Sequence, residues 1–189
     1  VNPAKVALVT ALAGGLSIGA ALLGERWIDP EGGGIPLAGL GQGEPVQWPE
    51  IRLPDLAGHE HSSDTWSGHP LILNFWAAWC PPCLEELPRL ERFAQRHADA
   101  GIRVVAIAVD RPEATRAFLA AHPVDLTILL AELETITLTR RLGNRVEGLP
   151  FTVAFDARGR HVFSHLGALE QDQFEQLAAR LDAPSATPR

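Results

Sequence analysis

The stretch from Pro70 to Cys83 constrains this chain most. Residues 70–77 read PLILNFWA, a continuous apolar run of the kind that forms a strand buried on both faces. Two residues later comes Trp79-Cys80-Pro81-Pro82-Cys83, and from Pro81 to about His97 the residues Leu84, Leu87, Leu90 and Ala94 share one helical face. A buried strand therefore hands over to a helix at a pair of cysteines. These are the only two cysteines among 189 residues. Disulfide frameworks use more cysteines and spread them along the chain. Closing so short a loop adds little stability, because the entropic gain grows with loop length. Two thiolates also fall short of the four ligands of a closed zinc site. Metal binding stays open as the weaker reading, and redox chemistry leads.

The rest of the chain alternates strand and helix. Ile51 to Leu56 reads as a short strand, Gly58 to Ser62 as a turn or hairpin, and Ser63 to Trp66 as a helical turn. Ile102 to Val109 (IRVVAIAV) is a second buried strand. Asp110-x-x-Glu113 with Pro112 predicts a capped helix start, followed by Ala114, Ala117, Phe118 and Ala121 as its apolar face. Leu126 to Leu130 is a third strand, and Leu133 to Leu142 a helix stopped at Gly143. Phe151 to Phe155 and Arg160 to His165 form a hairpin over Asp156-Ala157-Arg158-Gly159. Phe174, Leu177, Ala178 and Leu181 mark a last helix. This order implies an α/β domain with a mainly parallel sheet and an antiparallel closing edge.

Five segments follow. Residues 1–5 are a short tail. Residues 6–23 hold eighteen residues without a charge, preceded by Lys5 and followed by Glu25, Arg26 and Asp29. They are expected to be a transmembrane anchor that leaves the rest of the chain outside the cytoplasm, or else a signal peptide cut near Gly19-Ala20-Ala21. Residues 24–46 are a Gly/Pro-rich linker, 47–182 the folded domain, and 183–189 a disordered tail. The net charge of −7 offers no basic stripe and argues against a nucleic-acid partner.

At the strand-to-helix junction, Cys80 falls on the helix N-cap, where unpaired N–H groups and the helix dipole favour a thiolate. Cys83 lies three residues on, within reach to resolve a mixed disulfide. Pro81 and Pro82 take the first helical positions, where a missing N–H is tolerated. They stiffen the loop, remove thiolate donors and thereby tune the redox poise.

Asn74 to Cys83 (NFWAAWCPPC), then Glu86-Leu87-Pro88, and Gly148-Leu149-Pro150 ahead of the strand FTVAF resemble the thioredoxin superfamily, most closely its membrane-anchored TlpA/ResA-like branch. The resemblance spans about Gln47 to Leu181. It implies a thioredoxin fold with an N-terminal β extension and a central βα insertion at Val124 to Arg141, preceded by a membrane-anchor helix. It implies that Cys80 is the exposed nucleophile, Cys83 the resolving thiol, and Pro150 a cis-proline presenting the Leu149 backbone to a substrate peptide. Trp79, Pro81, Pro82, Leu149 and Pro150 are the expected substrate-facing set, with Trp79 packing beside the cysteines and Pro88 kinking the helix. Thioredoxins carry a buried Asp where this chain has Asn74. The TlpA/ResA-like branch carries a Glu where this chain has Glu86. Glu86 shares a helix face with Cys83 and is expected to exchange its proton. Neighbouring Glu85 reads as surface.

The expected activity is thiol–disulfide exchange with no cofactor beyond the cysteine pair and no metal. His59, His61 and His69 read as loop residues rather than copper ligands, with no methionine in the chain to assist. The expected partners are protein disulfides of the kind found in cytochrome c or respiratory-oxidase maturation, and a membrane thiol donor that keeps the pair reduced. The expected location is a bacterial inner membrane with the domain facing the periplasm. Alternatives are a disulfide oxidase or isomerase, a peroxiredoxin-like antioxidant, although Pro-x-x-x-Thr-x-x-Cys is missing before Cys80, and a non-catalytic metallochaperone module.

Overall fold

The computed structural model describes residues 48–132 and 135–182. The apolar stretch 6–23, the linker through residue 46 and the tail 183–189 lie outside the described residues. Among the described residues no helix is long and apolar enough to cross a membrane.

The core is a five-stranded mixed sheet built around the run that the sequence marks as buried. Strand β3 (Leu71–Trp76) has all six residues buried and sits at the centre. It pairs in parallel with β4 (Arg103–Val109) and antiparallel with β6 (Phe151–Phe155). β5 (Thr127–Ala131) continues the parallel side, and β7 (His161–Leu166) closes the antiparallel side. A separate antiparallel hairpin, β1 (Arg52–Pro54) with β2 (Glu60–Ser62), is the N-terminal β extension.

Alternation along β3 divides the core in two. Leu71, Leu73 and Phe75 pack with Val105, Ile107, Leu129, Phe151 and Val153 on one face. On the other face helix α1 (Pro81–Arg96) supplies Leu87, Leu90 and Phe93. Leu90 and Phe93 meet Ile72 and, from helix α4 (Gln171–Asp182), Phe174 and Leu177. Leu87 meets Trp76 and the two cysteines. Helix α2 (Pro112–Ala121) lays Phe118 against Trp76, with ring centroids 5.6 Å apart. The extra βα stretch appears as β5 and the short helix α3 (Ile136–Arg141).

One expectation needs correction. Asp110 does not cap α2: the helix starts after Arg111, with no side-chain cap. The Asp110 carboxylate instead accepts the Ala78 N–H at 3.0 Å and the Arg111 N–H at 2.7 Å. Helix α3 is described only from Ile136, shorter than the run from Leu133, since Leu133 and Glu134 lie outside the described residues. Helix α1 continues through Pro88 as one helix of sixteen residues.

Candidate active site

Cys80 and Cys83 form a disulfide, with Cα atoms 5.3 Å apart. The local chain makes this geometry. Cys80 is the N-cap of α1 in an extended conformation, and the two prolines fill the first helical positions. The Cys80 carbonyl accepts the Cys83 N–H at 3.0 Å and the Leu84 N–H at 3.3 Å, which turns the chain directly into the helix. Just before the motif, Cys80 donates its N–H to the Ala77 carbonyl, and Asp110 holds the Ala78 N–H from the end of β4.

Both sulfur residues are buried in this oxidised form. Cys83 is fully enclosed and Cys80 keeps only 4% of its surface, so Cys80 is not the exposed residue the resemblance implies. The physical reason is its N-cap position above the Trp76, Leu87 and Ala108 cluster. Exposure belongs to its neighbours: Pro81 and Pro82 are exposed, and Trp79 shows 61% of its surface. Trp79 therefore stands outward beside the motif rather than packing down on it. Leu149 packs against the cluster that contains both cysteines, and the Leu149–Pro150 peptide bond is cis. The Pro150 carbonyl accepts the Gly167 N–H at 2.9 Å.

Beneath the cysteines lies a buried polar group. Glu86, one helical turn beyond Cys83, is fully buried. Its Oε1 accepts the Leu169 N–H at 3.0 Å and its Oε2 accepts from Asn74 Nδ2 at 2.9 Å. Asn74 donates its second amide hydrogen to Thr152 Oγ1 at 2.9 Å, across the β3–β6 register. Burial pushes the Glu86 carboxyl up to about 7; the Leu169 and Asn74 hydrogen bonds and the Arg89 charge pull it down without overcoming that. A carboxyl that titrates near neutrality, one turn from a cysteine, can hold or release a proton under ordinary conditions. Glu85, by contrast, is exposed.

Three contributors to the site are not singled out by the sequence. Thr152 is a polar residue inside an apolar five-residue strand, which is a readable signal. Asp110 carries the pattern of a helix cap instead. Asn144, 2% exposed, binds both backbone groups of Gly148 (Nδ2 to the carbonyl at 2.8 Å, Oδ1 from the N–H at 3.2 Å) and so shapes the loop leading to Pro150. His59 and His61 share the Asp55 carboxylate, at 3.3 and 3.1 Å; among the described residues no three His, Cys, Asp or Glu side chains form a metal-binding group.

Known proteins align with this arrangement. Residues 46–182 match the AhpC/TSA family. The chain is 32% identical over 142 residues to the thioredoxin-like protein YneN of Bacillus subtilis, covering 72% of this chain and 79% of that one. It is 26% identical over 125 residues to the thiol-disulfide oxidoreductase ResA of Halalkalibacterium halodurans, covering 66% and 69%. Among solved structures, a protein from Chlorobium tepidum assigned as the thiol:disulfide interchange protein DsbE superposes with a TM-score of 0.63 at 27% identity, covering 72% of this chain and 96% of that one. With a CxxC disulfide at the head of α1 and these relatives, the chain belongs to the AhpC/TSA family, among its thioredoxin-like thiol–disulfide oxidoreductases.

Proposed function

We propose that this protein reduces protein disulfides outside the cytoplasm, from a domain tethered to the membrane by residues 6–23. The observation that carries the reading is the buried, hydrogen-bonded Glu86 one turn below the Cys80–Cys83 pair. Thiol–disulfide exchange in either direction cycles a proton on the inner thiol, and Glu86 is the group placed to carry it; the reducing direction is inferred from the oxidising compartment proposed for the domain.

The cycle begins with the dithiol form. Cys80, favoured as a thiolate at the helix N-terminus, attacks a substrate disulfide and releases one substrate thiolate. The Cys83 thiol gives its proton to the Glu86 carboxylate. The resulting Cys83 thiolate attacks Cys80 Sγ, closes the Cys80–Cys83 bond and expels the second substrate thiolate. Two electrons pass from the pair to the substrate, and the leaving thiolates take protons from water. Leu149, ahead of cis-Pro150, offers its backbone for strand-like pairing with the substrate, while Trp79, Pro81 and Pro82 flank the attacking sulfur. The pair needs no further cofactor. A membrane thiol donor returns it to the dithiol state. Substrates of the apocytochrome c or oxidase copper-site kind suit a tethered reductant in an oxidising compartment.

Two experiments test this. Redox titration of the pair against glutathione, read by thiol alkylation, is expected to give a potential nearer thioredoxin, about −270 mV, than DsbA, about −120 mV. A DsbA-like value would reverse the direction of flow. Mixed disulfides trapped on Cys83→Ser in cell envelopes then identify the substrates; capture of cytosolic proteins alone would contradict the location.

A further inference from the structure

The hydrogen bonds around Glu86 suit its anion. Both of its oxygens face donors, Leu169 N–H and Asn74 Nδ2, and no acceptor contacts them among the described residues. Asn74 spends both amide hydrogens, one on Glu86 Oε2 and one on Thr152 Oγ1. Its carbonyl, Oδ1, is buried and has no partner among the described residues. An Asn in a fully buried site usually has both ends satisfied, so the unpaired carbonyl calls for a reason.

The proton cycle supplies one. When Glu86 takes a proton, one carboxylate oxygen becomes a donor. Held against Nδ2, that is donor against donor. The unpaired acceptor beside it is the other end of the same amide. A half-turn about the last Asn74 torsion exchanges Nδ2 and Oδ1 in place, with almost no change of shape, and such terminal torsions are broad and roughly two-fold. Oδ1 then has two lone pairs for two donors, the Glu86 O–H and the Thr152 O–H, since a hydroxyl serves in either role. Resting on the reading that Glu86 carries the Cys83 proton, we infer that Asn74 is a positioning residue that turns over as that proton moves, donating to the carboxylate and accepting from the acid.

The surroundings allow both positions. One end of the amide lacks a partner in either, so neither locks it. On α1 the groups facing Glu86 are Cys83 and Arg89. From β3 and β6 come Asn74 and Thr152. On β7, His165 lies in register with Thr152 and contacts Gln173. From the segment before α4 come the Leu169 backbone and Glu170, which Arg89 reaches at 3.5 Å. Burial favours the acid, the Leu169 and Asn74 hydrogen bonds and then Arg89 favour the anion, and the balance near neutrality keeps both forms in use.

The chain has three asparagines, Asn2, Asn74 and Asn144, so selective labelling gives three side-chain amide pairs. The test is NMR of the full reduced chain with labelled Asn side chains and Glu carboxyls, from about pH 5 to about pH 9. Asn74→Ser and Glu86→Gln assign the signals. Above the Glu86 midpoint the Asn74 amide protons show a cross-peak to the Thr152 side chain; below it that cross-peak is lost. A cross-peak that persists while the Glu86 carboxyl titrates overturns the turnover and leaves the proton-carrier role standing. A Glu86 carboxyl that does not titrate in this range overturns both.

Discussion

Replacing Glu86 with glutamine should make the oxidised protein more stable at alkaline pH, and the gain can be estimated. In the unfolded chain this carboxyl ionises at its ordinary 4.5; in the folded protein burial lifts it to about 7. Below 4.5 both states hold the proton, and burying the neutral acid costs the fold nothing extra. Between 4.5 and about 7 the unfolded chain releases the proton while the folded protein keeps it, so stability falls as pH rises. Above about 7 both states are ionised and the loss is complete. At ~1.4 kcal/mol for each pH unit, the interval from 4.5 to about 7 amounts to about 3 kcal/mol. The side chain introduced by Glu86→Gln carries no charge and still fits: its oxygen can accept the Leu169 N–H, and its amide can donate to Asn74 Oδ1 once the Asn74 amide turns over. Urea denaturation of both proteins, followed by tryptophan fluorescence between about pH 4 and about pH 9, reads the difference. The stability of Glu86→Gln relative to the parent should rise by about 3 kcal/mol across this range, with most of the change between 4.5 and about 7. Stability curves that stay parallel at every pH would rule this out, because the buried carboxyl would then titrate alike in both states.

Asp110→Ala leaves the Ala78 N–H without its acceptor, which should cost about 1–3 kcal/mol and speed hydrogen exchange at Ala78, with Asp110→Asn recovering most of the protection. Asn144→Ala removes both bonds to Gly148; a loss of about 1–3 kcal/mol in urea melts and a slower disulfide exchange rate at saturating thiol donor are expected. Leu87→Ala opens a cavity beneath the cysteine pair and should lower stability by about 2–5 kcal/mol, measured by the same melts.

Much of the layout is legible in the sequence because the relevant signals are local. The apolar run before Cys80 suits a central strand, and the proline pair after it suits the first turn of a helix. Asp156 to Gly159 signals a hairpin through turn chemistry, and Gly159 takes a positive φ of 75° there. The Glu86 position is legible from helical spacing, since Leu87 and Leu90 place the buried face beside it. What escapes is set by contacts between distant segments. Asp110 carries the pattern of a helix cap, yet tertiary contact directs it to Ala78, 32 residues away in sequence. Leu169 holds Glu86 through its backbone N–H, a group that every residue but proline has and no sequence can flag. The burial of Cys80 also depends on packing, because an N-cap cysteine is open or covered according to what lies under the helix end. Thr152 is readable in principle, as the polar residue in a buried strand, but its partner across the sheet is not.

Every step of the proposed cycle depends on Cys80 as the sulfur that attacks substrate. Insulin disulfide reduction, with dithiothreitol as the electron source, measures this in the parent protein, Cys80→Ser and Cys83→Ser. The parent should accelerate reduction over the uncatalysed rate. Cys80→Ser should fall to that background, while Cys83→Ser should accumulate a mixed disulfide on Cys80 and turn over slowly. A Cys80→Ser protein that reduces insulin at the parent rate would contradict the claim.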